Sequence, residues 1–188
     1  MKVFQIGVCK SNDDLTELIK DKNVELLVLV EPNSFHNEDI EKCYESIKNK
    51  HIENIVINND SNQKEVSFYL HKNDGPLFEV ASLEKWHILK HGYNEEGIIE
   101  HKIKSLTINQ LFDKYQVTDI DILFIDAEGF DDSIIKSIDF SKYNIKNIYY
   151  ENLHLKSNVQ SFLESYDYKV FYRVGHNGWM NLAKKIKQ

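Results

Sequence analysis

Asp121-Ile-Leu-Phe-Ile-Asp126-Ala-Glu128-Gly129 is the stretch of sequence that decides the fold. Its centre, Ile122 to Ile125, is apolar throughout, which is typical of a strand buried on both faces of a parallel sheet. Asp126 and Glu128 follow directly, and Gly129 frees the backbone for a turn. Ligands of open α/β sheets bind outside the carboxyl ends of the strands. The two acids therefore predict a ligand site here, and a structural ion pair is the less favoured interpretation.

The same apolar pattern recurs along the chain, with amphipathic segments between the runs. The predicted strands are Val3 to Val8, Leu26 to Val30, Ile55 to Ile57, Ile122 to Ile125 and Ile145 to Tyr150. The predicted helices are Asp13 to Lys20, Asn37 to Asn49, Thr107 to Tyr115, Asp132 to Ser137 and Val159 to Tyr166. This alternation of strands and helices predicts an α/β fold with a mainly parallel sheet.

The end of the chain breaks the alternation. Tyr168 to Val174 and Trp179 to Lys184 are separated only by Gly175-His176-Asn177-Gly178. A parallel connection needs a dozen or more residues, so these two runs are predicted to form an antiparallel hairpin. The expected sheet has seven strands, five parallel and two in the hairpin, whereas a dinucleotide-binding Rossmann sheet is usually parallel throughout.

Residues 71–102 are too long for a simple connection and contain a predicted helix, Leu83 to His91. We interpret this segment as a cap inserted between the third and fourth strands of the sheet. Long insertions at strand ends are often lids or substrate-selecting loops, and disorder is the alternative.

Composition limits the classes of protein that remain. The 188 residues are 41% hydrophobic, which predicts one compact domain spanning 1–188. Thirty Asp plus Glu against 23 Lys plus Arg give a formal charge of −7, which disfavours a nucleic-acid partner. Cys9 and Cys43 fit no metal-ligand spacing, so we assign no metal ligand and expect a reduced, cytoplasmic protein. Neither a signal peptide nor an apolar run of about 20 residues is present, so no membrane span is expected.

Residues that follow the first two predicted strands are candidates for ligand binding. Gly7 would let a ligand approach the backbone closely. Glu31 ends an apolar strand and precedes Pro32, and a carboxylate at this point can accept both hydroxyls of a ribose. Glu31 as an ordinary surface acid is the alternative.

Two later strand ends add further candidates. Asn59 lies in a polar turn that could hydrogen-bond a purine edge, although a plain turn is slightly favoured. Glu151 and His154 follow the fifth strand, and either side chain could take a proton from an attacking hydroxyl.

Together these stretches resemble the FkbM-type methyltransferases. The resemblance is carried by Phe4-Gln5-Ile6-Gly7, Val30-Glu31-Pro32-Asn33, Thr107-Ile108-Asn109-Gln110-Leu111, the segment from Asp121 to Asp131, and Glu151-Asn152-Leu153-His154-Leu155. It implies a Rossmann-like class I methyltransferase fold. It also implies methyl transfer from S-adenosylmethionine, generally to an oxygen of a small-molecule or glycan acceptor such as a sugar, lipid or natural product.

The resemblance also assigns roles to residues. The implied cofactor-binding residues are Gln5, Gly7, Glu31, Asn59, Asp126 and Glu128, and the implied catalytic residues are Glu151, His154 and Asp126. Gly7 would lie against the methionine part of the cofactor, Glu31 would hold the ribose, and Asp126 would face the reacting centre. Glu151 and His154 match the family's Glu-x-x-His pattern, which implies acceptor positioning or proton removal.

The cap helix contributes His87 and His91, which are four residues apart and therefore share one face. Contact with the acceptor is one interpretation. A solvated helix face is the favoured one.

The loop after the first strand departs from the family pattern. The family commonly shows Asn-Asp-Gly or Asn-x-Gly there, and this chain has Cys9-Lys10-Ser11. A side chain at a position with positive φ costs about 1 kcal/mol or more. A degenerate methyltransferase fold that serves as a scaffold is therefore an alternative function.

A metal-assisted transferase or phosphatase that uses Asp126 and Glu128 as metal ligands is another alternative function. A NAD-dependent oxidoreductase is disfavoured because Gly-x-Gly-x-x-Gly is absent.

Overall fold

The computed structural model describes residues 1–9, 14–75, 78–153, 155–175 and 178–186. The strands in these ranges are β1 (Lys2–Ile6), β2 (Leu26–Val30), β3 (Lys50–Glu53), β4 (Val56–Asn58), β5 (Glu65–His71), β6 (Ile98–Thr107), β7 (Asp119–Ile125), β8 (Asn144–Glu151), β9 (Tyr168–Val174) and β10 (Met180–Lys185). The α-helices are α1 (Asp14–Ile19), α2 (Asn37–Cys43), α3 (Lys85–Lys90), α4 (Ile108–Lys114), α5 (Asp131–Ser137) and α6 (Val159–Glu164). Within the same ranges, no helix is both long enough and apolar enough to span a bilayer.

The main sheet has seven strands in the order β3-β2-β1-β7-β8-β10-β9. Strands β3, β2, β1, β7 and β8 are parallel, and β10 runs antiparallel to both β8 and β9. This arrangement confirms the predicted Rossmann-like class I methyltransferase fold with its C-terminal hairpin. The chain progresses outward from β1 to β3 and then returns to β7 on the other side of β1. The β1–β7 junction is therefore the topological switch point, where α/β sheets bind ligands.

Both faces of the main sheet are buried, and β2 shows how. Val28 and Val30 pack into one core cluster with Phe4, whereas Leu27 and Leu29 pack into the other cluster. Successive side chains of a strand point to opposite faces, so a strand covered on both sides must be apolar at every position. This requirement explains the uninterrupted apolar runs in the sequence.

A second sheet of three strands, in the order β4-β6-β5, stands beside the first. The sequence predicts β4 as the third strand of the main sheet, and this prediction is wrong. β4 pairs with β6, and the third parallel position is filled by β3, which pairs with β2. β3 is an edge strand with its side chains partly or fully exposed, so it needs no apolar pattern and gives no strong signal in the sequence.

The insertion lies between β3 and β7, where it was predicted. β5 and β6 form an antiparallel pair from Glu65–Lys104 to His71–Ile98, and the cap connects their ends. The cap helix α3 is confirmed within the predicted range, although it is shorter. The cap packs back onto β5 through a bridge between Tyr69 and Ser82. It is therefore anchored to the second sheet and faces the strand ends of the first.

Candidate active site

A cavity of about 740 Å³ opens at the carboxyl ends of the main-sheet strands. Residues at these strand ends and in the following loops line it: Ile6, Gly7, Val8, Cys9, Val30, Glu31, Pro32, Phe124, Asp126, Ala127, Glu128, Phe130 and Glu151. The inserted part contributes Ile55, Val56, Ile57, Phe68, Phe78, Glu79, Ala81, Ser82 and Leu83. The remaining contributors are Asp14, Glu17, His36, Ile134, Trp179 and Met180. The cavity has the size of a typical site for a cofactor or small ligand.

Most of the residues singled out in the sequence meet at this cavity. Gly7, Glu31, Asp126, Glu128 and Glu151 all line it. They come from four strands that are far apart in sequence, and the parallel sheet brings their carboxyl ends to one edge.

Two of the described candidates, Gln5 and Asn59, do not line the cavity. Gln5 is fully buried on β1, where its side-chain oxygen accepts a hydrogen bond from the Tyr44 hydroxyl at 3.2 Å. Asn59 is exposed in the turn after β4, and the structure does not place it in the cavity lining. His154 lies outside the described residues.

Gly7 is fixed by the protein backbone itself. Its φ is +78°, and a Cβ at this position would stand 1.8 Å from the carbonyl oxygen of Asp126. Hydrogen bonds from Gly7 N to Val30 O (2.9 Å) and from Asp126 N to Ile6 O (2.8 Å) extend the sheet past the ends of its strands. Close approach of the loop after β7 therefore requires glycine here, in addition to any approach by a ligand.

Glu31 holds the loop after β1. Its carboxylate accepts hydrogen bonds from Cys9 N at 2.7 Å and from Asn33 N at 2.8 Å. Burial raises the pKa of Glu31, and these backbone hydrogen bonds oppose the rise because they stabilise the charged form. Cys9 has a φ of +48°, a left-handed conformation that is uncommon for a residue other than glycine. Ser11, which stands where the family pattern has its glycine, lies outside the described residues.

A tight turn carries the acids that follow β7. Phe130 N donates to Ala127 O at 3.1 Å, and the residues between them, Glu128 and Gly129, have φ values of +45° and +85°. Positive φ at both central residues is the signature of a type I′ turn. A non-glycine residue is uncommon in this conformation. The turn presents the Glu128 side chain to the cavity.

Asp131 acts as a brace between the ends of β7 and β8, and no role of its own was predicted for it. It is buried at the start of α5, where one oxygen accepts from Ala127 N at 3.2 Å and the other from Glu151 N at 3.1 Å. Burial, followed by the charge of Asp126, raises its pKa well above the usual range. In the sequence Asp131 looks like an ordinary acid in the first turn of a helix. Its role depends on contacts with distant residues, which the sequence does not reveal.

Glu151 ends β8 at the wall of the cavity. Burial, together with the charges of Asp126, Glu128 and Asp131, raises its pKa to about 9, and Lys90 opposes the rise. Its Oε2 atom is buried and has no hydrogen-bond partner among the residues that the structure describes. Glu151 therefore holds its proton at neutral pH and has an oxygen available to a ligand.

The cap contacts this wall through Glu128. His87 is fully buried, and its Nε2 lies 3.0 Å from Oε2 of Glu128. The Ser82 hydroxyl donates to the Glu128 carbonyl oxygen at 3.3 Å. The favoured prediction of a solvated face is thus wrong for His87, which the cap turns inward, whereas His91 at the end of the same helix is exposed.

The FkbM methyltransferase domain model matches residues 5–170, which is most of the chain. The chain belongs to this family. No curated protein matches the chain. The family assignment agrees with the sheet order and makes the protein a methyltransferase.

The charge pattern of the cavity in this FkbM domain is one-sided. Seven acidic side chains line it, and all but the protonated Glu151 can carry a negative charge at neutral pH: Asp14, Glu17, Glu31, Glu79, Asp126, Glu128 and Glu151. Among the described lining residues there is no Lys or Arg. A cavity that concentrates negative charge in this way favours a cationic ligand and disfavours a phosphorylated one.

Proposed function

We propose that this FkbM domain transfers a methyl group from S-adenosylmethionine to a hydroxyl oxygen of a small acceptor such as a sugar, a lipid or a natural product. The acid-lined cavity at the topological switch point carries this proposal. S-Adenosylmethionine supplies a methyl group that the positive charge of its sulfonium has already activated.

The residues present fit this cofactor in three respects. The cavity volume of about 740 Å³ lies within the range of cofactor sites. The acidic side chains of the lining favour a cationic group. Glu151 offers a buried acceptor oxygen that no described residue uses.

Glu31 is the proposed ribose-binding residue. It lines the cavity at the end of β2, where nucleoside-binding α/β proteins place an acid. Its two oxygens are already oriented by the amides of Cys9 and Asn33. A carboxylate has about four lone-pair positions, so these two bonds leave acceptor capacity for hydroxyl groups. Preorganisation of this kind lowers the entropy lost on binding.

Glu151 is the proposed base for the acceptor hydroxyl. A base with a pKa near 9 is stronger than an ordinary carboxylate, although a smaller fraction is ionised at neutral pH. Neighbouring acids keep the proton on Glu151, and a cationic ligand would favour its release. Asp126 faces the same space from the end of β7 and is proposed to help orient the reacting groups. Alignment of reactants can contribute on the order of 7 to 11 kcal/mol, and base catalysis about 10² to 10⁴ in rate.

Titration calorimetry with S-adenosylmethionine and S-adenosylhomocysteine tests the proposal. We expect one binding site per chain for the methyl donor, and NADH should not compete because the described lining has no cationic side chain for its phosphates. Binding of neither sulfur compound at millimolar concentration would support a scaffold role for the fold instead.

Acceptor chemistry is tested with S-adenosylmethionine that carries a labelled methyl group. Panels of sugars, hydroxylated lipids and phenolic natural products are incubated with the protein, and mass spectrometry locates the label. Label on an oxygen supports O-methylation, whereas label on nitrogen or carbon would contradict it.

A further inference from the structure

His87 and His91 lie one helical turn apart at the end of the cap helix α3. A backbone hydrogen bond from His91 N to His87 O at 3.4 Å closes the turn between them. Their ring centroids are 4.7 Å apart, with 42° between the ring planes. Two histidines four residues apart on one helix face are a recurring metal-binding pair. Such a pair needs at least one further ligand to make a site.

Glu128 supplies the third side chain from a different part of the fold. One oxygen of its carboxylate is 3.0 Å from Nε2 of His87, and ligand atoms of all three residues lie within 4.8 Å of one another. Metal bonds of about 2.0 to 2.1 Å place neighbouring ligand atoms about 2.9 to 3.4 Å apart. The His87–Glu128 pair already has this separation, and the exposed side chain of His91 can close the remaining distance by rotation.

The backbone of Glu128 is also held in place. Its φ is +45° in the turn after β7, and the Ser82 hydroxyl donates to its carbonyl oxygen at 3.3 Å. Uncommon backbone conformations of this kind cluster at ligand sites. The cap and the turn thus hold the buried His87 and the backbone of Glu128 next to each other before any ligand arrives.

We propose that His87, His91 and Glu128 bind a divalent transition-metal ion of the zinc class. Two imidazoles and one carboxylate suit Zn²⁺ or Co²⁺, whereas Mg²⁺ prefers a set made only of oxygens. The sequence assigned no metal ligand, and its metal-based alternative paired Glu128 with Asp126 instead of the cap histidines. The third ligand becomes visible only when the fold brings the cap onto the turn.

The location suggests what the ion does. Glu128 also lines the cavity, so the ion lies between the cap and the wall that carries Glu151. Three protein ligands with an open position are typical of metal sites that bind a substrate or water. The open position is assigned to the acceptor hydroxyl. This role depends on the proposed methyl transfer, whereas metal binding itself does not.

The binding test uses the full chain after treatment with a chelator and without any methyl donor. Co²⁺ is added while its visible absorption is recorded, and Zn²⁺ and Mg²⁺ are then tested as competitors. We expect one Co²⁺ per chain, displaced by Zn²⁺ and not by Mg²⁺. No binding of Co²⁺ at submillimolar concentration would overturn the proposal.

Variants assign the ligands. His91→Ala removes an exposed side chain, and Glu128→Gln keeps the shape of the third ligand, so neither change depends on the buried His87. Each should raise the dissociation constant for Co²⁺ at least about tenfold, since even the loss of a residue behind a ligand costs 10- to 100-fold. The control His101→Ala alters an exposed imidazole on β6 and should leave the constant unchanged. Equal binding by all three variants would overturn the assignment.

One further titration separates this proposal from the proposed function. S-Adenosylmethionine is added to metal-free wild-type protein and to His91→Ala. Co²⁺ binding without any binding of the methyl donor would reject the methyl-transfer proposal and support the metal site. Binding of the donor with no Co²⁺ binding would reject the metal site and support the methyl-transfer proposal.

Discussion

Two walls of the cavity each carry a glutamate at the end of a strand, and the two glutamates differ in their hydrogen bonds. The β1–β2 wall is formed by Gly7, Cys9 and Glu31, and both oxygens of its glutamate accept backbone amides. The β7–β8 wall contains the turn at Glu128 together with Glu151. Oε2 of Glu151 has no hydrogen-bond partner among the described residues.

The charged and polar groups around Glu31 and Glu151 also differ in their effect on the pKa of each glutamate. Burial raises the pKa of both glutamates, but backbone amides oppose the rise at Glu31. At Glu151 the neighbouring acids Asp126, Glu128 and Asp131 increase it. A carboxylate that accepts backbone donors is a fixed acceptor, whereas a glutamate surrounded by acids binds a proton tightly and is a strong base once ionised. The comparison assigns binding to the β1–β2 wall and proton transfer to the β7–β8 wall.

The largest expected loss of stability comes from a side chain added where the two walls touch. Gly7→Ala adds a Cβ that would lie 1.8 Å from the Asp126 carbonyl oxygen, at a φ of +78°. We expect the free energy of unfolding to fall by about 2 to 5 kcal/mol, from backbone strain and overpacking together. Urea denaturation measures it.

Gly92→Ala is the matched control for this change. Gly92 has a φ of +87°, and a Cβ there would meet nothing within 4 Å. It should lose only the backbone contribution, about 1 to 2 kcal/mol. Equal losses in the two variants would show that the contact between the walls is unimportant.

Removal of the brace in the β7–β8 wall should have the next largest effect. Asp131→Ala leaves the amides of Ala127 and Glu151 without their acceptor and should cost about 1 to 3 kcal/mol. Asp132→Ala, also in the first turn of α5, loses one bond from the Ser157 hydroxyl and should cost about 1 kcal/mol. Methyl transfer should fall further in Asp131→Ala, because Glu151 is displaced. The reverse order of the two variants would contradict the brace.

The pH dependence of stability tests the state of Glu151. Its pKa rises from 4.5 to about 9 on folding, so the folded protein keeps a proton that the unfolded chain loses. The resulting stabilisation is complete below about pH 4.5 and is lost as the pH rises towards about 9. Wild-type protein should therefore lose stability relative to Glu151→Gln across this range, as measured by urea denaturation.

The charged groups that face Glu151 are Asp126, Glu128, Asp131 and Lys90, and all of them are retained in this comparison. Glu164→Gln, at the exposed end of α6, should follow the wild-type profile. If Glu151→Gln also followed it, the side chain would be ionised throughout and could not be the proposed base.

The smallest effect is expected at the strained loop. Cys9→Gly removes a side chain at a φ of +48°, and Asp21→Gly does the same at +58° in the loop between α1 and β2. Relief of strain is offset by the greater freedom of glycine in the unfolded chain, so each variant should change stability by less than about 1 kcal/mol. The affinity of Cys9→Gly for S-adenosylmethionine should stay within about threefold of wild type. A much tighter complex would show that the strained backbone at Cys9 weakens cofactor binding.

The sequence predicted the main sheet well, because strands such as Leu26 to Val30 are buried on both faces and must be apolar throughout. The second sheet was not predicted. Val66, Phe68 and Leu70 do alternate with more exposed residues in β5, which is the pattern of a half-buried strand and could have revealed it. The edge strand Lys50–Glu53 has no such pattern, since one of its sides has no neighbouring strand.

Some residues of the candidate site were also predicted from the sequence, and others were not. Glu31, Asp126 and Glu151 were found because the end of a parallel strand is a position that the sequence reveals. The brace at Asp131 and the contact of His87 with Glu128 depend on how separate segments pack. A single sequence does not contain that information, so these contacts required the structure.

Calorimetric titration of S-adenosylmethionine into wild type, Glu31→Gln and Glu151→Gln tests the division of roles most directly. We predict that Glu31→Gln weakens binding at least about tenfold, the loss of roughly one charge-assisted hydrogen bond. Glu151→Gln should bind within about threefold of wild type and yet transfer methyl groups more slowly. Equal weakening in the two variants, or no binding by wild type at millimolar concentration, would contradict the assignment of binding to Glu31 and proton transfer to Glu151.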